Sequence, residues 1–324
     1  MKNLISQEKI DQMSLLIRNM EAELGTTEMM RIMIDQVSGA SDYFKVESVD
    51  EFFEAFEHLM MLVKSTKPKI GILIYYFCEI WDRLAESKNK FKSVENIKSE
   101  LKKITAGILT ENANDNENLV KNGVECVKKG DKILVHSHSR VVLKVLVAAK
   151  KKKIDFSVVV AEQNEEKTDD IIEFLQENDI EFTVVPEFML SHLEKEITKV
   201  FLGCVTFNDD HEFIADAGTN SVVSEFHHVS IPVYMFVTTK KFALWKSPDK
   251  EHSHKVVQKN KYKSVKKLIS YDRIKFSHDR ISLGLLDNVV TEQGVFLPKN
   301  TGILFDKMLK ERGEWIERHF SKKL

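Results

Sequence analysis

Hydrophobic positions recur with two different periods along this chain, and the change falls near residue 125. Over the first part they follow helical spacing. Phe52, Phe53, Phe56, Leu59, Met60 and Val63 form one apolar stripe. Ahead of it, Ser48-Val49-Asp50-Glu51 reads as a capping box, with the Ser48 hydroxyl accepting a first-turn amide and Glu51 reaching back. Ile70 to Leu84 follows Pro68 and is apolar nearly all round, which predicts a central, buried helix. The polar run Asn112 to Asn118 reads as a loop before the next helix.

From Gly130 onward, short β-branched runs predict strands at Ile133–Val135, Phe156–Val160, Phe182–Val185, Lys199–Leu202 and Val233–Phe236. Between them, helices are expected at Arg140–Lys150, Asp169–Glu177, Leu190–Glu196 and Ser221–His228. Strand and helix alternate, and runs such as Ser157-Val158-Val159-Val160 suit strands buried on both faces. The expected fold class is α/β. A helical bundle, residues 1–125, precedes a doubly wound, Rossmann-like parallel-sheet domain, residues 126–324.

Composition narrows this further. Of 324 residues, 43% are hydrophobic and 30% charged, which excludes disorder as the main state. The longest apolar stretches, Ile70 to Cys78 and Val229 to Thr239, fall short of the ~20 residues a membrane helix needs. The opening MKNLISQEKIDQ is polar where a signal peptide carries its apolar core, so a cytoplasmic protein is expected. Cys78, Cys126 and Cys204 are too far apart for a disulfide framework or a zinc site. Residues 1–120 carry about -5 and residues 121–324 about +3. Lys240 to Lys275 holds twelve Lys or Arg against three acids. Both a solvated lysine-rich insertion and a basic surface for an acidic partner or nucleic acid suit that segment.

Ligands in doubly wound folds bind beyond the carboxyl ends of the strands. Two candidate sites stand there. His136-Ser137-His138-Ser139-Arg140 lies between a predicted strand and helix, and offers hydroxyls, a guanidinium and helix N-terminal amides to an anion. Gly218-Thr219-Asn220-Ser221 opens another helix. Together they would suit a phosphorylated sugar; singly, Ser139 and Asn220 read equally as helix caps. Other motifs fail. Neither GxGxxG nor GxxxxGK[ST] occurs, so no nucleotide cofactor is expected. His136 with His138, and His252 with His254, lack a carboxylate or cysteine at ligand spacing, so no metal is assigned. His227-His228 suits a helix end, and no GxSxG elbow supports a serine triad.

The stretch Ile133 to Leu146 resembles the strand, loop and helix of the alpha-subunit family of eukaryotic initiation factor 2B, with His136 and Ser139-Arg140-Val141-Val142-Leu143 matching its pattern. The resemblance continues through Phe156-Ser157-Val158, Ala161-Glu162, Thr183-Val184-Val185, Gly203, Gly218-Thr219-Asn220, Glu292-Gln293-Gly294-Val295 and Pro298. It covers about residues 125 to 310. The same superfamily contains isomerases of methylthioribose 1-phosphate and ribose 1,5-bisphosphate. Those enzymes carry a cysteine two positions before the Ser139 match and an aspartate two residues past the Gly203 match. Ser137 and Val205 stand there, and Val205 can neither take nor give a proton. Before the Gly-Thr step the isomerases carry Asn-Lys, where this chain has Ala215-Asp216.

The resemblance therefore implies a non-catalytic regulatory subunit with no cofactor. It implies a homodimer through the α/β domain, assembly with the beta and delta subunits, and a role in sensing the phosphorylated alpha subunit of initiation factor 2, which restrains translation. His136, Ser137, Ser139, Arg140, Gly218, Thr219 and Asn220 would bind any sugar-phosphate or nucleotide ligand. Alpha subunits keep the Asn-Lys pair and a glutamate at the Val205 position, so the chain reads as a divergent member or as a beta- or delta-like paralogue. The competing readings are an isomerase with relocated chemistry and a non-catalytic sugar-phosphate sensor.

Overall fold

A computed structural model describes residues 6–67, 69–163, 165–245, 255–263 and 268–320. The first half is helical: α1 (Gln7–Ala40), α2 (Val49–Ser65), α3 (Gly71–Glu86) and α4 (Val94–Val124). Ser48 caps α2 by accepting the Glu51 amide at 3.2 Å, while the Glu51 carboxylate accepts from Glu47 N–H at 2.8 Å, one residue earlier than a standard capping box. The apolar α3 is buried along Gly71–Cys78, as its sequence predicts. Pro68, before it, lies outside the described residues.

The expected loop at residues 112–118 is absent, because α4 runs straight through it. Asn112 faces inward within 3.5 Å of the Tyr76 hydroxyl, and Asn116 donates to the Asn112 carbonyl at 2.7 Å. Residues 113, 114, 117 and 118 point to solvent. Polar composition here marks the exposed face of a long helix; with neither Gly nor Pro in the run, packing overrides the weak helix propensity of Asn.

The second half contributes β1 (Asp131–Val135), α5 (Arg140–Lys151), β2 (Phe156–Glu162), α6 (Glu165–Glu177), β3 (Phe182–Pro186) and β4 (Lys199–Gly203). The helix expected at Leu190–Glu196 is instead a 3-10 turn over Glu187–Leu193. Then follow β5 (Thr206–Phe207), β6 (Glu212–Asp216), α7 (Thr219–His228) and β7 (Val233–Phe236). The chain continues through β8 (Lys255–Lys263), β9 (Leu268–Phe276), β10 (His278–Ser282), β11 (Asn288–Thr291), β12 (Gly294–Phe296), α8 (Pro298–Glu311) and α9 (Gly313–Phe320).

The main sheet has the order β12-β11-β7-β4-β1-β2-β3, parallel except for β12. The chain fills β1, β2 and β3 outward on one side, then crosses to place β4 on the other side of β1. That reversal between β1 and β4 is a topological switch point, where two crossovers diverge and leave a crevice at the strand ends. A small antiparallel sheet, β10-β6-β5, and a two-stranded ribbon, β8-β9, complete the strands. The ribbon carries most of the described part of the basic segment, with residues 240–245 ahead of it; residues 246–254, His252 and His254 among them, and 264–267 lie outside the described residues.

The two halves share packing. The helical core takes in Val205, Ile214, Ala243 and Trp245, and α9 lays Trp315 and Phe320 against it. Phe320 stacks on Trp245 at 4.9 Å. The α/β half holds two further cores, and in one of them Phe207 meets Phe213 at 4.3 Å and Phe305 at 5.2 Å.

Candidate functional site

The crevice at the switch point is built from the ends of β1 and β4. After Val135 the chain turns sharply, with Ser137 in the left-handed region at φ 67°, a conformation that costs a non-glycine residue about 1 kcal/mol or more. The turn swings Ser139 across onto Gly203. A β-carbon at Gly203 would stand 2.2 Å from Ser139 Oγ, so the α5 start closes this tightly over β4 because residue 203 has no side chain.

The resulting cleft encloses about 70 Å³, and about 610 Å³ counted to its open mouth. Ser137, His138, Ser139, Arg140, Gly203, Val205, Asp216, Lys167 and Lys241 line it, with Glu21, Ala22 and residues 24–27 of α1 across from them. There α1 is interrupted at Gly25, whose φ of 69° and ψ of 160° set Glu21 before the break and Thr26 after it. Among the described residues no side chain accepts the amides of Arg140, Val141 or Val142, which form the positive end of α5.

Charges around the cleft are mixed. Arg140 stands 3.7 Å from Glu28, which pairs with Arg31 at 2.6 Å. The Arg31 hydrogen bond holds the Glu28 carboxyl below its ordinary range. Lys167 pairs with Asp216 at 2.7 Å. Lys241 is buried and donates to Thr26 Oγ1 at 2.7 Å and the Cys204 carbonyl at 2.6 Å, and burial lowers its pKa. Burial also lowers that of His138, which favours the neutral ring.

The second predicted site is arranged differently. Gly218, at φ 99°, begins α7, and the Asp279 carboxylate accepts both the Gly218 amide at 2.9 Å and the Asn220 amide at 3.0 Å. Thr219 Oγ1 lies 3.1 Å from His136 Nδ1. His136 Nε2 lies 3.1 Å from Glu187 and 2.9 Å from Gln163, whose amide also donates to Ala217 O. A neighbouring hollow is lined by Glu162, Glu187 and Glu225 with Phe188 and Ser221, an acidic surround that disfavours anions.

The seven predicted binding residues therefore divide. Ser137, Ser139 and Arg140 share the cleft; His136 and Thr219 join in a separate buried network; Gly218 and Asn220 give their amides to Asp279. His136 and His138 belong to different environments, and His227 and His228 are exposed at the end of α7. Sequence reasoning missed Glu21, Thr26, Lys167, Lys241 and Asp279, none of which sits in a motif. The one signal near them was Gly25, at mid-helix, as a mark of a break.

These features define a class: an α/β protein with a helical half whose α1 covers the switch-point crevice of a doubly wound sheet. The Initiation factor 2 subunit family matches residues 23–298, and the chain belongs to that family. The match reaches from within α1, so it includes most of the helical half. The chain is 32% identical over 125 residues to translation initiation factor eIF2B subunit delta of Schizosaccharomyces pombe, covering 38% of this chain and 27% of that one. It is 23% identical over 213 residues to the Dictyostelium discoideum delta subunit, covering 60% and 34%. The matched regions thus span about a third or less of those relatives.

Among solved structures, the Pyrococcus horikoshii OT3 translation initiation factor eIF-2B superposes with a TM-score of 0.69 at 18% identity, covering 92% of this chain and 99% of that one. The 5-methylthioribose 1-phosphate isomerase of the same organism gives 0.70 at 14% identity, covering 93% and 87%. A chain of the tetrameric eIF2B-beta2-delta2 complex from Chaetomium thermophilum gives 0.66 at 16%, covering 94% and 95%. At these identities the likeness establishes the fold. Among the described residues no helix is long and apolar enough to cross a membrane.

Proposed function

We propose that this chain is a non-catalytic regulatory subunit of the exchange factor acting on initiation factor 2. The observation that carries this reading is Val205. It occupies the position where the isomerase relatives resembled by the sequence carry an acid, and it is packed into the helical core at 6% exposure with its amide bonded to Ile214 O at 2.7 Å. A buried hydrocarbon there cannot relay the proton that aldose–ketose isomerisation needs. Ser137, in place of a thiol, lines the same cleft.

Membership of the family and the likeness to delta subunits support the rest of the reading. The α/β half forms a homodimer, the dimer joins beta- and delta-type subunits, and the helical half meets the phosphorylated alpha subunit of initiation factor 2 in the cytoplasm. The assembly of beta and delta chains with this fold in the Chaetomium thermophilum complex supports such a partnership. The alpha-like SRVVL run and the delta-like relatives support a regulatory rather than an exchange-catalysing subunit.

A second reading is favoured by the uncapped α5 start beside Ser139, Arg140 and Lys167: a sugar-phosphate sensor that retains the cleft without the chemistry. Incubation of the purified chain with methylthioribose 1-phosphate and with ribose 1,5-bisphosphate separates these from an isomerase. No turnover is expected; ketose formation that scales with protein concentration would overturn the non-catalytic reading. A rise in melting temperature with either sugar phosphate, without turnover, would support the sensor.

A further inference from the structure

His278 is the first residue of β10 and pairs in register with Asp216, the last residue of β6, so the two side chains emerge on one face of the small sheet. Glu21, on α1 just before the Gly25 break, comes down onto the same face. One ligand atom from each of the three lies within 4.8 Å of the others. They come from three separate elements and join the helical half to the α/β half.

His278 is nearly completely buried, with 4% of its side chain exposed. Its Nε2 has no hydrogen-bond partner among the described residues. The ring is held from the other side, with Nδ1 2.8 Å from Ser277 Oγ. Nε2 therefore aims at the acids, and stands 3.6 Å from Glu21 Oε2. That separation exceeds the ~2.7–3.2 Å of a formed N–H···O bond. It is close to the ~3.4 Å between two ligands held tetrahedrally at ~2.0–2.1 Å from one ion. An unpartnered buried imidazole nitrogen beside two carboxylates is costly unless something sits between them.

We propose that Glu21, Asp216 and His278 hold a divalent transition-metal ion of the Zn2+ type. One imidazole with two carboxylates suits borderline metals; Mg2+ and Ca2+ prefer donor sets made only of oxygen. The Ser277 hydroxyl at Nδ1 is the kind of outer partner that fixes a ligating ring and its tautomer. Lys167 already pairs with Asp216 at 2.7 Å, and a carboxylate has enough lone pairs to serve a lysine and an ion together. Lys241 near Glu21 and His138 near Asp216 are the other titratable groups facing the acids, and burial lowers the pKa of both, which disfavours their charged forms and so eases a cation beside them. Because Glu21 and Asp216 also line the cleft, a divalent ion cancels their two negative charges there and ties α1 to the β6-β10 sheet.

The test uses the full chain, stripped with a chelator and dialysed. Calorimetric titration with Zn2+ is expected to show one site per chain of micromolar or tighter Kd. Co2+ should give visible absorption bands of a low-coordinate ion, displaced by Zn2+. Glu21→Gln and His278→Gln should each weaken Zn2+ binding by about tenfold or more and abolish the Co2+ bands. The double change His227→Gln with His228→Gln, on the exposed end of α7, should leave both unaltered. Wild-type protein without a micromolar site, or binding equal to wild type in Glu21→Gln and His278→Gln, overturns the proposal. Should His278→Gln fail to fold, Glu21→Gln alone decides, because its carboxylate makes no other bond on which the fold depends among the described contacts.

Discussion

The starts of α5 and α7 lie at comparable places in the fold, and the chain finishes them in opposite ways. At α5, the uncapped helix start at Ser139, Arg140 and Val141 lines the cleft together with Lys167. At α7, Asp279 reaches in from β10 and takes the amides of Gly218 and Asn220. Both ends carry the partial positive charge that favours anions. The first leaves that charge without a side-chain acceptor, and the second gives it to a carboxylate of the protein itself. Two helix-opening loops of similar place in the fold thus end differently: one faces a cleft without a side-chain cap, the other is a structural joint. The residue that decides between them lies about sixty positions away.

The largest effect should come from filling the α5 joint. Gly203→Ala puts a methyl 2.2 Å from Ser139 Oγ, and overpacking of this kind costs about 1–3 kcal/mol. Denaturant melts should show that loss, and the anion response of the cleft should weaken with it. Stability equal to wild type would mean that the α5 start can move freely.

Removing the α7 plug should cost somewhat less. Asp279→Ala deletes a cap worth about 1–2 kcal/mol. It also exposes the α7 amides, so inorganic phosphate should raise the melting temperature of the variant more than that of wild type. An equal response in both would erase the contrast between the two helix ends. Arg140→Ala should cost under about 1 kcal/mol, because Arg140 is exposed and its ion pair with Glu28 is long at 3.7 Å. Its signature is a diminished phosphate response, with the melting temperature in plain buffer nearly unchanged.

The smallest effect should come from the acidic hollow beside α7. Burial, with Glu194 nearby, raises the pKa of Glu225, and its Oε1 has no hydrogen-bond partner among the described residues. The folded state therefore holds this proton more tightly than the unfolded chain does. Stability from that proton is present below the ordinary glutamate pKa and is lost as pH rises through the raised value. Glu225→Gln should be slightly more stable than wild type at neutral pH, with the gap closing in acid. A constant gap across pH would remove Glu225 as the cause.

Much of the fold was legible in sequence because buried parallel strands announce themselves. Val158 to Val160 can sit only where both faces are covered, and all five predicted strands occur within β1, β2, β3, β4 and β7. The errors lay where composition stood in for periodicity. Asn112 to Asn118 is polar, yet its one inward residue and four outward ones obey helical spacing within α4. The β8-β9 ribbon went unforeseen because its lysines hide the alternation of a strand.

The cleft was half legible. Ser137, Ser139 and Arg140 follow β1 directly, so local order was enough to place them. Glu21, Thr26 and Lys241 arrive from distant segments, and a single sequence carries no trace of such meetings. Lys241 is the clearest case: it belongs to a basic run, which suggests a solvated side chain, but it is buried against Thr26 and Cys204.

The claim that this chain works by assembly rather than catalysis is tested most directly by capturing the tagged full chain from its own cells and quantifying the bound proteins by mass spectrometry. The proposed function predicts other initiation factor 2B subunits in amounts near equal to the bait. Recovery of the chain with only copies of itself would contradict it.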